Sequence, residues 1–168
     1  MRLLITGGTG YIGSYLIYKL SHDDRIDRIY VLSRTYKDFL SDYKETVKYI
    51  RQDIRNLKGL RKKVVMIKPD VVLHLAAVAR GSYPDLVNTN VLGTVNVLET
   101  AREAQVRLLI FASTAANLYG NAIYRPIDEE HPLNPISPYG LSKQMAEDAV
   151  RFYASRYDMI AIIFRQTN

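Results

Sequence analysis

The chain has 168 residues, of which 48% are hydrophobic and 24% charged, and its formal net charge is +6. This length and composition are typical of one sizeable soluble α/β domain. The absence of cysteine excludes disulfides, thiolate metal sites and cysteine nucleophiles. No apolar run approaches the ~20 residues that span a bilayer, and the positive charge, which suits anionic ligands, comes without a nucleic-acid motif.

The first predicted element is a short buried strand at residues 2–6, and a glycine-rich loop follows it and leads into an apolar-periodic helix. A loop in this context predicts a dinucleotide site. Gly7 permits the tight turn, Gly10 lets the backbone approach a pyrophosphate, and Gly13 allows the helix to pack closely on the sheet. The alternative is a glycine-rich turn that binds no ligand. A signal peptide has no room before this loop, so we expect a cytoplasmic protein.

Five more short apolar segments alternate with longer amphipathic ones, which is the pattern of repeated βα units. They predict strands at 28–33, 47–50, 71–75, 108–113 and 159–164. We therefore expect an α/β fold with a doubly wound parallel sheet, the Rossmann fold, in three αβα layers with strand order 3-2-1-4-5-6. Ligands of such sheets bind at the carboxyl ends of the strands. The proline-rich loop at 121–138 is expected over that edge.

The last long helix carries a tyrosine four residues before a lysine. Ser137 is a good N-cap and Pro138 suits the first helical position, so the helix is expected to begin just before Tyr139. Tyr139 and Lys143 then share one face, about a turn apart. A free phenol titrates near ~10, and a neighbouring ammonium together with an oxidised nicotinamide would favour the phenolate. The pair predicts a redox base beside a dinucleotide, against the alternative of chance spacing on a surface helix.

A series of different short motifs extends along almost the entire chain. They lie at residues 6–13, 53–54, 74–77, 89–94, 113–114, 119–120, 135–143 and 165–168. In these segments the chain resembles the NAD(P)-dependent sugar-nucleotide epimerase/dehydratase family of extended short-chain dehydrogenases/reductases, and especially UDP-glucose 4-epimerase-type enzymes. The resemblance implies a nucleotide-sugar substrate, an NAD(P) cofactor, and a homodimer in which the helices that begin near Pro84 and Ser137 pair with their counterparts.

The resemblance also implies which residues contact the cofactor. Asp53 and Ile54 look like adenine contacts, residues 75–77 line the cofactor channel, and Asn90 resembles the asparagine near the nicotinamide end. The alternatives are a loop cap for Asp53 and local hydrogen bonding for Asn90. The full predicted set is Gly7, Gly10, Tyr11, Ile12, Gly13, Ser33, Arg34, Asp53, Ile54, Leu75, Ala76, Ala77, Asn90, Tyr139 and Lys143.

The second strand departs from the pattern of NAD-specific sites. It ends in Ser33 and Arg34, where an acidic residue would bind the ribose hydroxyls of NAD. Ser33 can hydrogen-bond a 2′-phosphate and Arg34 can pair with it, so this end of the site favours NADP. The alternative is a solvated Arg34 and bound NAD.

The catalytic hydroxyl is the second departure. The family has a serine or threonine at a fixed distance before its Tyr-Gly pair, and counting back from Tyr119 without a gap gives Ala115, which has no hydroxyl. Counting forward from the strand gives Thr114, with a one-residue insertion in the following loop. We favour Thr114, because loops tolerate insertions better than strand ends do, and Ser113 is the second choice. The acidic residues of the 4,6-dehydratases are replaced by Ala115 and Ala116, which disfavours a dehydratase.

We therefore predict an epimerase-type oxidoreductase in which Thr114, Tyr139 and Lys143 are catalytic and NAD(P) accepts and returns a hydride. One alternative is an NADPH-dependent reductase of a keto-sugar or a related carbonyl. Another is a non-catalytic dinucleotide-binding module, because the family continues beyond Asn168 into a lobe that grips the nucleotide-sugar. Residues 1–168 are accordingly interpreted as the NAD(P)-binding domain without that lobe. The three histidines do not follow a ligand pattern and predict no metal site.

Overall fold

The computed structural model describes residues 1–167 and contains one six-stranded sheet in which all paired strands are parallel. The strands are β1 Arg2–Thr6, β2 Arg28–Ser33, β3 Val47–Arg51, β4 Val71–His74, β5 Leu108–Thr114 and β6 Ile160–Gln166. Their order is β3-β2-β1-β4-β5-β6, which confirms the predicted doubly wound topology. Because β2 and β4 lie on opposite sides of β1, the chain reverses direction across the sheet at the carboxyl end of β1.

Six α-helices connect the strands in the described part of the chain. They are α1 Tyr11–Leu20, α2 Leu57–Ile67, α3 Tyr83–Leu86, α4 Gly93–Glu103, α5 Ala116–Tyr119 and α6 Pro138–Arg156. A 3-10 helix occupies Asp38–Tyr43, and a π-helical segment, Val87–Leu92, joins α3 to α4. Ser82 begins α3 with a capping box to Asp85, which satisfies backbone donors at the helix start.

Two hydrophobic cores cover the two faces of the sheet. One face packs on α2, α4 and α6 through a cluster that includes Leu60, Leu98, Phe111 and Val150. The other face packs on α1 and the 3-10 helix, where Ile17 is fully buried. The sheet with helices on both faces gives the expected three layers.

The second face is not covered over β6. Alternate residues of this strand, Ile160, Ile162 and Phe164, are 64%, 46% and 59% exposed, while Ala161 and Ile163 pack on the first core. β6 is also an edge strand. A hollow of about 810 Å³ runs beside it and is lined in part by Tyr119. This surface is far more apolar than an ordinary strand edge, which is usually protected by charge or by another element.

Candidate functional site

The glycine loop has the close backbone contacts that its sequence predicts. Gly7 has φ +70°, and a Cβ at this position would lie 2.7 Å from the backbone N and Cα of Ala76. A Cβ on Gly13 would lie 2.5 Å from the Cα of Gly8. The first contact requires a glycine in the turn, and the second lets α1 approach the loop backbone.

The N-terminus of α1 is open at this loop. Gly10 is its N-cap, so no side chain accepts a hydrogen bond from the first turn, and that turn contains no acidic residue. Free backbone N–H groups and the positive end of a helix dipole favour an anion at such a place. The pyrophosphate of a dinucleotide fits this combination.

A cleft of about 360 Å³ begins at the loop and crosses the carboxyl ends of β1, β2, β3 and β4. Its volume falls in the range of small-molecule sites. The structure brings nine predicted residues together here: Gly7, Gly10, Ser33, Arg34, Asp53, Ile54, Leu75, Ala76 and Ala77. Lys37, Gln52 and Val78 also line the cleft and were missed, because no motif marks them. Thr89 lies in the 89–94 motif and lines the cleft too, but it was not assigned to the site.

Six predicted contacts do not line the cleft, and four of them are Gly13, Asn90, Tyr139 and Lys143. The other two are Tyr11 and Ile12. Their side chains are 94% and 40% exposed on the first turn of α1. Only their backbone groups lie at the open helix start, so any contact with a phosphate has to be made by the main chain.

The far end of the cleft is basic. Arg34 is exposed and lines the cleft together with Lys37. Asp53 is engaged by Arg55, whose guanidinium donates from Nη2 at 2.6 Å and whose backbone N–H donates at 2.9 Å. The Arg55 hydrogen bonds, with a smaller contribution from Arg34, hold the pKa of Asp53 below its usual value. Asp53 therefore has the loop-cap geometry of the alternative interpretation, and its charge is offset at this end of the cleft.

Ser33 is less free than the sequence suggests. Its hydroxyl donates to the carbonyl of Thr35 at 2.8 Å, and its own carbonyl accepts from the hydroxyl of Tyr49 at 3.2 Å. A hydroxyl has one proton, so Ser33 has to release Thr35 before it can donate to a phosphate.

Helix α6 begins as predicted. The Ser137 hydroxyl accepts from the backbone N–H of Gly140 at 3.0 Å, and Pro138 occupies the first position. Tyr139 lies in this first turn and is half-buried. Burial raises the pKa of Tyr139, which is opposite to the direction expected from a neighbouring ammonium. The physical reason is that the ammonium of Lys143 is directed towards β5.

Lys143 is 3% exposed. Its Nζ donates to the carbonyl of Ala112 at 2.7 Å and lies 4.0 Å from the ring centroid of Phe111. Burial lowers the pKa of Lys143 to about 7, and Glu147 acts in the opposite direction. A buried amine that titrates near neutral pH is typical of a functional site rather than of a surface helix.

The two candidate hydroxyls at the end of β5 differ in environment. Ser113 is on the same side of the strand as Phe111, and its buried Oγ makes no hydrogen bond of good geometry among the described residues. It faces Glu147, and its hydroxyl helps to lower the pKa of that carboxyl. Thr114, 6% exposed, ends the strand on the opposite side, and Ala115 follows it as the N-cap position of α5. Ser113 is 5% exposed and Thr114 6%, so burial does not separate the two residues, and Thr114 as the catalytic hydroxyl stays a prediction.

Asn90 has a structural engagement in addition to its predicted role. It is 1% exposed within the π-helical segment, accepts from the N–H of Val78 at 2.8 Å and donates to the carbonyl of the same residue at 2.8 Å. It also donates to the hydroxyl of Ser142 at 2.9 Å. Asn90 thus links the loop after β4 to Ser142 of α6, the residue that precedes Lys143. π-Helical segments frequently occur at functional sites.

The histidines have structural roles in the fold. His74 is buried at the end of β4, with Nδ1 2.6 Å from the hydroxyl of Thr6 and Nε2 3.0 Å from that of Thr94. Burial, with a contribution from Lys143, lowers the pKa of His74 to about 3. Within residues 1–167, no group of three or more His, Asp or Glu side chains is placed to hold a metal ion. No helix in this part of the chain combines the length and apolarity that a membrane crossing requires.

A family model described as GDP-mannose 4,6 dehydratase matches residues 4–168. A putative UDP-glucose 4-epimerase from Methanocaldococcus jannaschii is 35% identical over 171 residues, which covers 99% of this chain and 55% of the relative. The chain therefore spans about half the length of this curated relative. Residue 168, which ends the last predicted motif, lies outside the described residues.

Solved structures of similar fold are also about twice as long as this chain. The UDP-glucose 4-epimerase of Thermotoga maritima with UDP-glucose superposes with a TM-score of 0.89 at 28% identity, over 98% of this chain and 55% of that one. The Bordetella bronchiseptica enzyme WbmG in complex with NAD also has a TM-score of 0.89, at 29% identity, over 100% of this chain and 53% of that one.

Proposed function

This chain belongs to the epimerase/dehydratase family of extended short-chain dehydrogenases/reductases, and from that premise we propose that it binds NAD(P) and acts on a nucleotide-sugar by transient hydride transfer. The observation that carries the proposal is the cleft, which gathers residues from the ends of four strands around an open helix N-terminus. The absence of a Cβ at Gly10 lets the loop backbone approach a pyrophosphate, and the absence of one at Gly7 permits the tight turn against Ala76.

Each part of the chain has a distinct task in this proposal. The N–H groups at the start of α1 bind the pyrophosphate, and Lys143 binds the ribose beside the nicotinamide. The dinucleotide, when bound, supplies a hydride acceptor and a fixed positive charge. Tyr139 takes the proton of a sugar hydroxyl, and Thr114 hydrogen-bonds the reacting oxygen. Burial of Tyr139 alone opposes the phenolate, so ionisation of this residue depends on the cationic groups assembled around it.

Within the family we propose an epimerase-type reaction, in which the hydride returns to the other face of a transient ketone. The matched family model is described as a dehydratase, but α5 begins with Ala116 and follows Ala115, so no carboxylate is supplied there for the elimination of water. A keto-sugar reductase would use the same residues and would release its alcohol product. Detection of a released product with net oxidation of NADPH would separate the reductase from the epimerase.

The substrate-binding portion is also a proposal. The relatives are about twice as long as this chain, and the exposed face and edge of β6 lie on one side of the described fold. We propose that residues 1–168 are the NAD(P)-binding domain and that substrate affinity requires the other half of the relatives. A domain that binds dinucleotide without turnover would fit the non-catalytic alternative. The cytoplasmic location stays a prediction.

For the cofactor we propose NADP. The solved neighbour WbmG holds NAD, but Arg34 and Lys37 line the adenosine end of the cleft here, and Arg55 offsets the charge of Asp53.

Loss of Arg34 in Arg34→Ala should narrow the preference for NADP over NAD by about 1.5–3 kcal/mol, the range of hydrogen bonds to charged groups. Calorimetric titration with NADP and with NAD measures this difference in binding free energy. Lys62→Ala, an exposed change on α2, is the control and should leave the difference unchanged. Equal affinities of the unchanged protein for NAD and NADP would contradict the NADP assignment.

We propose a homodimer through α4 and α6. Exposed apolar side chains on α6 and at the end of the π-helical segment that leads into α4 support it: Leu92 is 53%, Leu141 40%, Met145 38% and Phe152 55% exposed. A pair of helices from each protomer would bury them. Light scattering at high protein concentration should give twice the mass of the chain, and Met145→Glu should shift it to that of a monomer. A monomeric unchanged protein would contradict this interface.

A further inference from the structure

The loop that follows β3 forms one wall of the cleft. Gln52, Asp53 and Ile54 of this loop line it. The backbone N–H of Asn56 donates to the carbonyl of Asp53 at 3.1 Å, so residues 53–56 form a turn. Loops are more mobile than the elements they connect, and ordering a loop on binding costs affinity. The contacts that hold this turn therefore bear on the affinity of the cleft.

The four backbone carbonyls of the turn at 53–56 all accept hydrogen bonds from amide side chains. Gln52 Nε2 donates to the first and the last of them, at 2.8 and 3.2 Å. Asn96 Nδ2, on α4, donates to the two between, the carbonyls of Ile54 at 2.9 Å and of Arg55 at 3.2 Å. Within residues 1–167, Asn96 is the only residue of another helix or strand whose side chain hydrogen-bonds to this turn. The turn is thus tied to the rest of the fold through Asn96.

Helix α4 also packs closely on the side chain of Ile54. Ile54 is 5% exposed, and a Cβ at Gly93 would lie 2.7 Å from its Cδ1. Gly93 and Asn96 are three residues apart on α4 and so share a face of the helix. The glycine leaves room for the Ile54 side chain, and the asparagine binds the Ile54 carbonyl. One residue of the cleft wall is therefore held by α4 at both its side chain and its backbone.

Asn96 itself does not line the cleft and is half-buried. Its acceptors connect it to the site, because Ile54 lies in the cleft wall and Arg55 holds the carboxylate of Asp53 at 2.6 Å. Both acceptors are carbonyl oxygens, so only the NH₂ end of the amide can face them. An amide supplies these donors without adding a charge beside the Asp53–Arg55 pair.

Resting on the proposed function, we propose that Asn96 is a positioning residue for the adenosine end of the dinucleotide: it fixes the turn at 53–56 from α4, so that Asp53 and Ile54 are in place before the ligand binds. Such preorganisation spares the ligand the cost of ordering the turn. Without the amide, the turn would sample other conformations, and the apparent dissociation constant would rise as the fraction with the native turn falls. Three strands separate β3 from β5, where Lys143 is bound, so the effect should be confined to the adenosine half.

The test compares Asn96→Ala with the unchanged chain in calorimetric titrations with NADPH and with adenosine 2′,5′-bisphosphate, a probe for the adenosine half. Both dissociation constants should rise by about tenfold, the change in a conformational equilibrium when two ordinary hydrogen bonds are lost. Asn96→Asp, which turns a carboxylate towards the same two carbonyls, should weaken binding at least as much.

Thr100→Val is the matched control on the same helix. It removes a buried hydroxyl whose two hydrogen bonds stay within α4, so it should lower stability and leave both affinities unchanged. A purely structural role of Asn96 would give the same result in Asn96→Ala, since the folded chain would keep its affinity. Unchanged affinities in Asn96→Ala, or a loss confined to NADPH, would therefore overturn the proposal.

Amide hydrogen exchange gives a readout that needs no ligand. The N–H of Asn56, which closes the turn, should exchange about tenfold faster in Asn96→Ala, because local opening of the turn becomes easier. In Thr100→Val it should exchange as in the unchanged chain, and an unchanged rate in Asn96→Ala would overturn the proposal. If the unchanged chain binds neither NADPH nor the bisphosphate, the proposed function fails, while the exchange still decides whether Asn96 holds the turn.

Discussion

Replacement of Lys143 by methionine should stabilise the fold while it removes a functional group. The buried amine has a pKa of about 7, against 10.5 for a free lysine. At pH 7 the unfolded chain binds this proton fully and the folded chain binds about half of it. This difference makes the folded state about 4 kcal/mol less stable than it would be with no shift.

The destabilisation is greatest at low pH, because burial lowers the pKa of Lys143 in the folded chain. Below about pH 7 the full penalty applies, and as the pH rises from about 7 to 10.5 the unfolded state loses its proton and the penalty disappears. Lys143→Met also gives up the hydrogen bond to the Ala112 carbonyl, which costs about 1 kcal/mol. The net gain in the free energy of unfolding should therefore be about 3 kcal/mol at pH 7 and about 1 kcal/mol at pH 9.

Urea denaturation of both proteins at pH 7, 8 and 9 measures these differences. The gain in unfolding free energy should decline by about 2 kcal/mol between pH 7 and pH 9. This decline is a better test than the gain at one pH, because packing changes that do not depend on pH cancel in it. Lys62→Met, an exposed change on α2, should give a difference that is small and constant with pH. If the difference in unfolding free energy between Lys143→Met and the unchanged protein did not vary with pH, the lowered pKa of Lys143 would be refuted.

Three further changes probe the glycine loop, the buried imidazole and the phenol. Gly13→Ala should lower the free energy of unfolding by about 2 kcal/mol or more in urea denaturation, because its Cβ would overlap Gly8. Gly10→Ala should keep the fold and lose NADPH binding. Between pH 7 and 4.5 the unchanged protein should lose about 2.5 kcal/mol of unfolding free energy through His74, whose folded pKa of about 3 lies below the unfolded value of 6.5. His74→Gln should show a shallower loss in the same denaturation series. In a protein of the relatives' full length, Tyr139→Phe should bind NADPH normally and turn over roughly 10²–10⁴-fold more slowly in a product assay. Full activity of this variant would exclude Tyr139 as the base.

The elements were predictable because local sequence and tertiary structure agree in them. Each strand begins within one residue of its predicted start. The four inner strands are marked by the nearly continuous apolar runs of strands covered on both faces, and the edge strands β3 and β6 by short apolar segments. Ser137 and Pro138 determine the start of α6 through local backbone chemistry. The glycine loop was predictable for the same reason, because only glycine tolerates the contacts at Gly7 and Gly13.

The missed features depend on side chains that are distant in sequence. Lys37 lines the cleft from the segment that follows β2, and no local pattern specifies the path of that segment. The pairing of Arg55 with Asp53 and the burial of Glu147 beneath β6 arise only when the elements pack. The direction of the Lys143 ammonium was also missed, since helical spacing gives the shared face with Tyr139 but not the rotamer that reaches Ala112.

The central claim is that a nicotinamide dinucleotide binds in the cleft at the glycine loop. Titration of the chain with NADPH, followed by the fluorescence of the reduced nicotinamide, tests it without knowledge of the sugar. We expect saturable binding of one NADPH per chain that is lost in Gly10→Ala, whose fold should persist. Absence of saturable binding of NADPH, NADH, NADP and NAD to the folded chain would contradict the account.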